Sequence, residues 1–345
     1  MGGRVEREVD SVYLGGGTPT VLNCEQLDRL FVTVSQNFSL LPGAEVTVEC
    51  APGTLTPAML ATLLRCGVNR VSLGVQSFVD QEAASVGRLH KRETVLDDVA
   101  RLRSAGISNI NIDLIAGLPH QTHDSWNVSL EMAIALGVPH VSVYMLEVDE
   151  DSRLGRELIA GGTKYHAHFV PEEELTADLY ETACDRLIAA GIRQYEISNF
   201  ARAGYESHHN LKYWTRQAYL GFGVDAHSML PSASNTLQAV RFSTLDSLDQ
   251  FVAGGPLQPT DVSREMALEE TFFLGLRPNR GVDVHRVSEE FGERAMEMVS
   301  PILAELEQAG LVAWEGGRVR LTSRGRLLSN EVFERFLGCG AGSVM

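Results

Sequence analysis

Apolar residues in the first two hundred positions come in short runs separated by amphipathic stretches. Val12-Tyr13-Leu14 and the segments 45–51 (EVTVECA), 69–75 (NRVSLGV), 109–115 (NINIDLI) and 140–146 (HVSVYML) read as five strands, and 194–198 as a last short one. Between them lie helical patterns. Asn23 with Gln26 three residues on forms a capping box, followed to about residue 37 by Leu27, Leu30, Phe31 and Val34 on one face. Thr56-Pro57 opens a second helix that Cys66-Gly67 closes. Residues 93–105 stop at Gly106, 124–136 at Gly137, and the long amphipathic stretch 171–190 at Gly191. Residues 1–10 are polar and read as the end of a helix. Strand and helix alternate five times, which predicts an α/β fold with a parallel sheet and outer helices. The pattern fits a barrel and an open sheet equally.

Residues 199–258 change character. They are rich in aromatics, His and Gly with little periodicity, and read as a working loop or insertion. Helical patterns return over 264–276, 283–291 and 292–308. A hairpin follows, 311–314 and 319–321 around Gly316-Gly317, then a helix over 324–336. Helices followed by a small hairpin suggest a winged-helix-like α+β module. Its one basic cluster is Arg318, Arg320, Arg324 and Arg326, and a packing or interaction role outranks DNA binding.

Charge narrows the partners. The formal net charge is −16, from 45 acidic against 29 basic residues. An acidic surface repels phosphate backbones, so nucleic acid is excluded as a first partner. The start, MGGRVEREVD, has no apolar signal core, and no apolar run approaches the ~20 residues of a membrane span. The expected location is the cytoplasm. Five cysteines, Cys24, Cys50, Cys66, Cys184 and Cys339, are scattered with no CxxC or CxxxC pair. They indicate free thiols in a reducing compartment, with no local cradle for a metal or iron–sulfur cluster.

Candidate chemistry sits at the strand ends. Gly15-Gly16-Gly17 terminates the first strand, and Thr18-Pro19-Thr20 leads into a helix. Three glycines serve a tight turn or the close approach of a ligand. Glu49 ends the second strand, Gln76 follows the third, and Asp113 interrupts the apolar fourth, where an ionised group is expensive without a partner. Singly, each is as readily structural. Together beside the glycine loop they favour a polar ligand with amine and ribose groups. Arg88 in GRLHKRE suits a carboxylate clamp or a solvated surface position. GFGVDA at 221–226 superficially fits a dinucleotide fingerprint, but no strand precedes it, and no GK[ST] loop exists. Six of the ten histidines fall in pairs, His120/His123, His166/His168 and His208/His209, and His227 is one of the four that stand singly. His209, beside Asn210, Tyr213 and Trp214, fits either a haem contact or a satisfied histidine in an aromatic core.

Eight motifs, in order, carry a resemblance. GGGTPT (15–20), VECAP (48–52), GVQSF (74–78), GRLH (87–90) and DLIAGLP (113–119) resemble the radical S-adenosylmethionine (SAM) proteins related to oxygen-independent coproporphyrinogen III oxidase. QYEISNFAR (194–202), HNLKYW (209–214) and YLGFGVDAHS (219–228) are similar to its haem-chaperone branch, HemW, with its HNxxYW motif. The resemblance spans roughly residues 10–336. It implies a partial parallel (β/α) barrel of radical SAM type at 1–200, lacking its first βα unit. A connecting segment with HNxxYW at 201–258 and a HemN-type C-terminal module at 259–345 would follow. It implies SAM contacts at Gly16, Gly17, Thr18, Glu49, Gln76, Arg88 and Asp113, with Met145 beside them, and a haem contact at His209. SAM, a [4Fe-4S] cluster and haem are the implied cofactors, and a haem-accepting protein the implied partner. Peripheral membrane association and a homodimer stay open. The family's CxxxCxxC motif precedes the glycine loop, whereas none of the ten residues before that strand is Cys. The expectation is therefore a start assigned too late, or a truncated form without radical chemistry. The function implied is haem binding and delivery. The alternatives are coproporphyrinogen III oxidase activity and a non-catalytic remnant that binds partners through its C-terminal module.

Overall fold

The βα repeat builds a curled half-barrel. The computed structural model describes residues 3–147, 156–157, 160, 166–234 and 237–338. The chain divides into two units: Arg7–Ser207, and the first six residues together with those from His208 onward. In the Arg7–Ser207 unit, β1 (Glu8–Leu14), β2 (Ser39–Cys50), β3 (Arg70–Gln76), β4 (Asn109–Ala116) and β5 (His140–Met145) lie parallel in sequence order, with β1 at the edge. The connections carry α1 (Cys24–Asn37), α2 (Pro57–Arg65), α3 (Asp80–Ser85) with α4 (Arg92–Ser104), and α5 (His123–Ala135). Then come α6 (Glu173–Ala189), β6 (Arg193–Gln194) and β7 (Asn199–Ala201).

Helix starts follow local chemistry. Asn23 and Gln26 exchange both capping-box bonds at 2.9 Å, and Thr56 caps α2 by accepting from the Met59 amide. One face of the sheet is apolar: Val46 and Val48 on β2, Val71 and Leu73 on β3, Ile110, Ile112 and Leu114 on β4, Val141 and Val143 on β5 are all buried. Each such side chain contributes about 1.5–3 kcal/mol. The indole N–H of buried Trp126 on α5 donates to the Leu179 carbonyl on α6 at 2.7 Å, locking those helices together.

Several expectations change. Residues 3–10, the described part of the expected helix end, hold no helix: Gly3 bridges to Ser232, and Glu8 to Asp10 already belong to β1, because a cross-strand partner overrides weak local preference. The segment 194–198 is not one strand. It is the turn between β6 and β7, which run antiparallel to each other, with β7 also antiparallel to β5. The short helix α3 went unpredicted.

In the other unit the aromatic segment is no loop. It holds α7 (His208–Trp214) and an antiparallel sheet of β8 (His227–Pro231), β9 (Ala239–Ser243) and β10 (Gln258–Val262), with α8 (Leu248–Val252) before β10. Leu230, Val240 and Phe242 form its core. Next come α9 (Arg264–Gly275), β11 (Val282–Asp283), α10 (Val284–Phe291), α11 (Glu293–Gln308), β12 (Val312–Glu315) and β13 (Arg318–Leu321). The strands pair antiparallel as β11-β13-β12, giving the winged α+β module one strand more than the expected hairpin. The expected terminal helix over 324–336 is two, α12 (Ser323–Leu327) and α13 (Ser329–Glu334), broken where Leu328 leaves helical geometry. Phe336 beyond them stacks on Phe272 at 4.9 Å. The four arginines of the basic cluster have local partners: Arg318 with Asp283, Arg320 with Glu315, Arg324 with the Ala309 carbonyl and Arg326 with the Leu321 carbonyl. No helix among the described residues is long and apolar enough to cross a membrane.

Candidate functional site

Parallel pairing aligns polar residues in rows across the second face of the sheet. Glu49, Ser72, Asn111 and His140 share one row; Gly74, Asp113, Ser142 and Asn199 share the next. These side chains bond to one another. Asn111 Nδ2 donates to Asp113 Oδ1 and to Ser72 Oγ, each at 2.7 Å, and lies 3.0 Å from Ser142 Oγ. Ser72 Oγ donates to Asp113 Oδ2 at 2.9 Å. His140 is fully buried, with Nδ1 2.6 Å from Asn111 Oδ1 and Nε2 2.9 Å from Tyr195 Oη. Since Asn111 presents its oxygen, His140 donates from Nδ1 and accepts the tyrosine proton at Nε2. Burial, then the Arg70 charge, hold this imidazole neutral, well below its ordinary pKa.

Above that network the glycine loop meets the carboxylates. Tyr13 Oη donates to Glu49 Oε1 at 2.7 Å, and the Gly16 amide donates to the same carboxylate. A Cβ on Gly15 would stand 2.6 Å from Tyr13 Cε1 and 2.7 Å from Glu49 Oε1, so only glycine fits. Gly16 has φ +81°, and nothing lies within 4 Å of a Cβ on Gly16 or Gly17. The loop thus packs its first residue against Glu49 and leaves its next two open. Burial raises the Glu49 pKa, its bond from Tyr13 opposes that, and the neighbouring Asp113 charge adds to it. Burial likewise raises Asp113, against bonds from Ser142, Ser72 and Asn111. Gln76 sits at a bulge in the β3–β4 register with φ +68°. Its Nε2 and Arg88 Nη2 lie 3.2 and 3.7 Å from the position of a Cβ on Gly74, so both side chains converge over that glycine.

The residues fit an amino-acid–nucleoside ligand. They offer a loop with open space over Gly16 and Gly17, a guanidinium and an amide side chain beside Gly74, and two carboxylate acceptors. They do not fit an iron–sulfur cluster. Cys24, Cys50 and Cys66 lie on different elements, with Cys184 on α6. Burial pushes the Cys50 thiol up to about 12 and the Cys66 thiol to about 11. No group of three metal-ligating side chains occurs among the described residues, and Cys339 lies outside them.

In the other unit His209 Nε2 and Tyr213 Oη share a 2.9 Å hydrogen bond one helical turn apart on α7. Tyr213 packs edge-on to His209 at 5.2 Å and to Tyr219 at 4.7 Å. The buried Trp214 indole N–H meets no acceptor among the described residues, and the Arg277 guanidinium lies 4.2 Å over its ring. Arg216, in left-handed backbone at φ +53° just past the helix, reaches buried Glu270 at 3.5 Å; Arg241 meets that carboxylate at 2.6 Å.

Known proteins share this architecture and sequence. The Radical SAM superfamily model matches residues 3–133, and the HemN C-terminal domain model matches 262–328. Heme chaperone HemW of Bacillus subtilis is 37% identical over 96% of this chain and 86% of its own length. The Lactococcus lactis protein of that name is 34% identical over 95% and 84%. The chain belongs to the HemW family. Coproporphyrinogen III oxidase (HemN) from Escherichia coli, 24% identical, shares the fold with a TM-score of 0.80 over 96% of this chain and 78% of its own.

For a HemW-family chain, the structure gathers Gly16, Gly17, Glu49, Gln76, Arg88 and Asp113 at one end of the half-barrel. Thr18 precedes a short 3-10 turn beside them, and Met145 ends β5 next to Tyr144, whose hydroxyl burial and the Asp113 charge push up. His209 stands in the other unit. Sequence reading missed Tyr13, Ser72, Asn111, His140, Ser142 and Tyr195. Their signal was present: EVTVE, RVSL, NINID and HVSVY alternate strictly, whereas strands covered by apolar layers on both faces read as continuous apolar runs.

Proposed function

We propose that this chain is a haem-binding chaperone that passes haem to a recipient haem protein and holds S-adenosylmethionine at the strand ends of its half-barrel. The relatives' name, heme chaperone, supports the haem reading. The observation that carries it in this chain is one half-buried imidazole, His209, packed edge-on to Tyr213, which in turn packs against Tyr219 and Trp214. A flat aromatic macrocycle finds stacking faces there and an imidazole able to exchange its tyrosine bond for iron. Arg216, Glu270 and Arg241 anchor α7, so the imidazole is presented from a fixed helix.

At the strand ends, the open backbone of Gly16, Gly17 and Thr18 would take the amino-acid portion of S-adenosylmethionine, with the Gly17 and Thr18 amides facing it while the Gly16 amide holds Glu49. Arg88 and Gln76 would face its carboxylate, and Glu49 and Asp113 would accept from its amine or ribose hydroxyls. Bound there, S-adenosylmethionine supplies an activated sulfonium. No step through an iron–sulfur cluster is assigned, because the cysteines present do not fit one. These residues bind and orient.

Haem titration followed in the Soret band tests the reading, on the wild type and His209→Ala. Stoichiometric binding with a large loss in His209→Ala is the expected result. Equal affinity removes His209, and turnover of coproporphyrinogen overturns the chaperone reading in favour of an oxidase.

A further inference from the structure

The glycine-loop strand brings a phenol to the ligand carboxylate. Tyr13 lies on β1 and Glu49 on β2, 36 residues apart, joined by a 2.7 Å hydrogen bond. Their contact is tight on the Gly15 side, where there is no room for a Cβ between the Tyr13 ring and the Glu49 oxygen. We infer that Tyr13 is a positioning residue: its hydroxyl keeps the Glu49 carboxylate ionised and turned toward the open backbone of the glycine loop. The inference rests on the strand-end ligand reading proposed above and deepens it.

The charges around Glu49 make this donor consequential. Asp113 approaches from β4, adding a like charge that favours protonation. Tyr144 on β5 and Cys50 on β2 also feel the Glu49 charge, and both are held neutral chiefly by burial. Arg70 on β3 acts on Tyr13 and Asp113. Against burial and Asp113 stand two donors, Tyr13 Oη and the Gly16 amide. The phenol is a dependable donor because burial and Glu49 itself push its ionisation far out of the working range. Removing its hydroxyl leaves one donor opposing burial and Asp113. Glu49 then protonates at higher pH, and a protonated carboxyl loses acceptor capacity toward a ligand amine or hydroxyl.

The test is calorimetric titration of S-adenosylmethionine into the full chain, wild type, Tyr13→Phe, Glu49→Gln and the double variant, from about pH 5 to about pH 7.5. Wild-type affinity should be level near neutrality and fall at the acid end. In Tyr13→Phe the fall should begin about 1–2 pH units higher, the equivalent of one hydrogen bond to a charged group. Glu49→Gln should bind weakly with no such fall, and the double variant should match it. A merely structural Tyr13 would lower affinity by one factor at every pH. That result, a profile superimposable on wild type, or a Tyr13→Phe shift that persists in the Glu49→Gln background overturns the inference. Wild-type protein that does not bind, or Glu49→Gln that binds like wild type, overturns the ligand reading beneath it.

Discussion

Glycine 17 separates what the fold needs from what a ligand needs. Its backbone is outside the left-handed region, it is exposed, and a Cβ placed on it meets nothing within 4 Å. The folded chain therefore gives no reason for glycine there. Gly17→Ala removes freedom from the unfolded chain without introducing strain, so it should leave stability unchanged or raise it by about 0.4–1 kcal/mol. If S-adenosylmethionine lies over the loop, the added methyl meets the ligand. An overpacked contact costs about 1–3 kcal/mol, a factor of about 5 to 150 in affinity. Gly15→Ala is the contrast. There the Cβ strikes Tyr13 Cε1 and Glu49 Oε1 at 2.6 and 2.7 Å, so stability should drop by about 1–3 kcal/mol together with binding. Urea unfolding and calorimetric titration on the same preparations read both quantities. A Gly17→Ala protein that binds as tightly as wild type would refute the placement of the ligand over the loop. Marked destabilisation would refute the claim that the fold leaves this position open.

Two further predictions concern the buried charges. His140 is held neutral, so below its ordinary value of 6.5 the unfolded chain takes up a proton that the folded chain refuses. Stability should fall with acid, by about 2 kcal/mol between pH 7 and pH 5 from this group, and level off above about pH 6.5. His140→Gln should lack this component; urea midpoints with the same acid slope in both proteins would contradict it. Glu270 is buried between Arg216 and Arg241, and truncating it takes a carboxylate from both guanidiniums and leaves Arg216 with Glu290 and Thr271. Glu270→Ala should cost about 3–5 kcal/mol, seen as faster hydrogen exchange in α7 and α9 peptides; unchanged protection would show the cluster is dispensable.

Local chemistry wrote much of this protein legibly. The caps at Asn23 and Thr56, the proline at the start of α2 and the glycines closing the helices fixed element after element, because each acts over three or four residues. The glycine loop and the polar strand ends pointed to a ligand site for the same reason: glycine runs and buried carboxylates are costly wherever they stand. Strand extent was less legible. β8, β9 and β10 hold only because each pairs with a neighbour, and a segment that reads as one strand, 194–198, is mostly the turn joining β6 to β7. Tertiary structure alone decided the rest. Parallel register, set by crossover helices rather than by strand sequence, placed Glu49 beside Tyr13 and carried Ser72, Asn111 and His140 into one row. Gln76 took a left-handed backbone because the register slips beside it. These contacts join residues 29 to 55 positions apart, a distance at which side-chain preference carries no information and only the assembled sheet determines which groups meet.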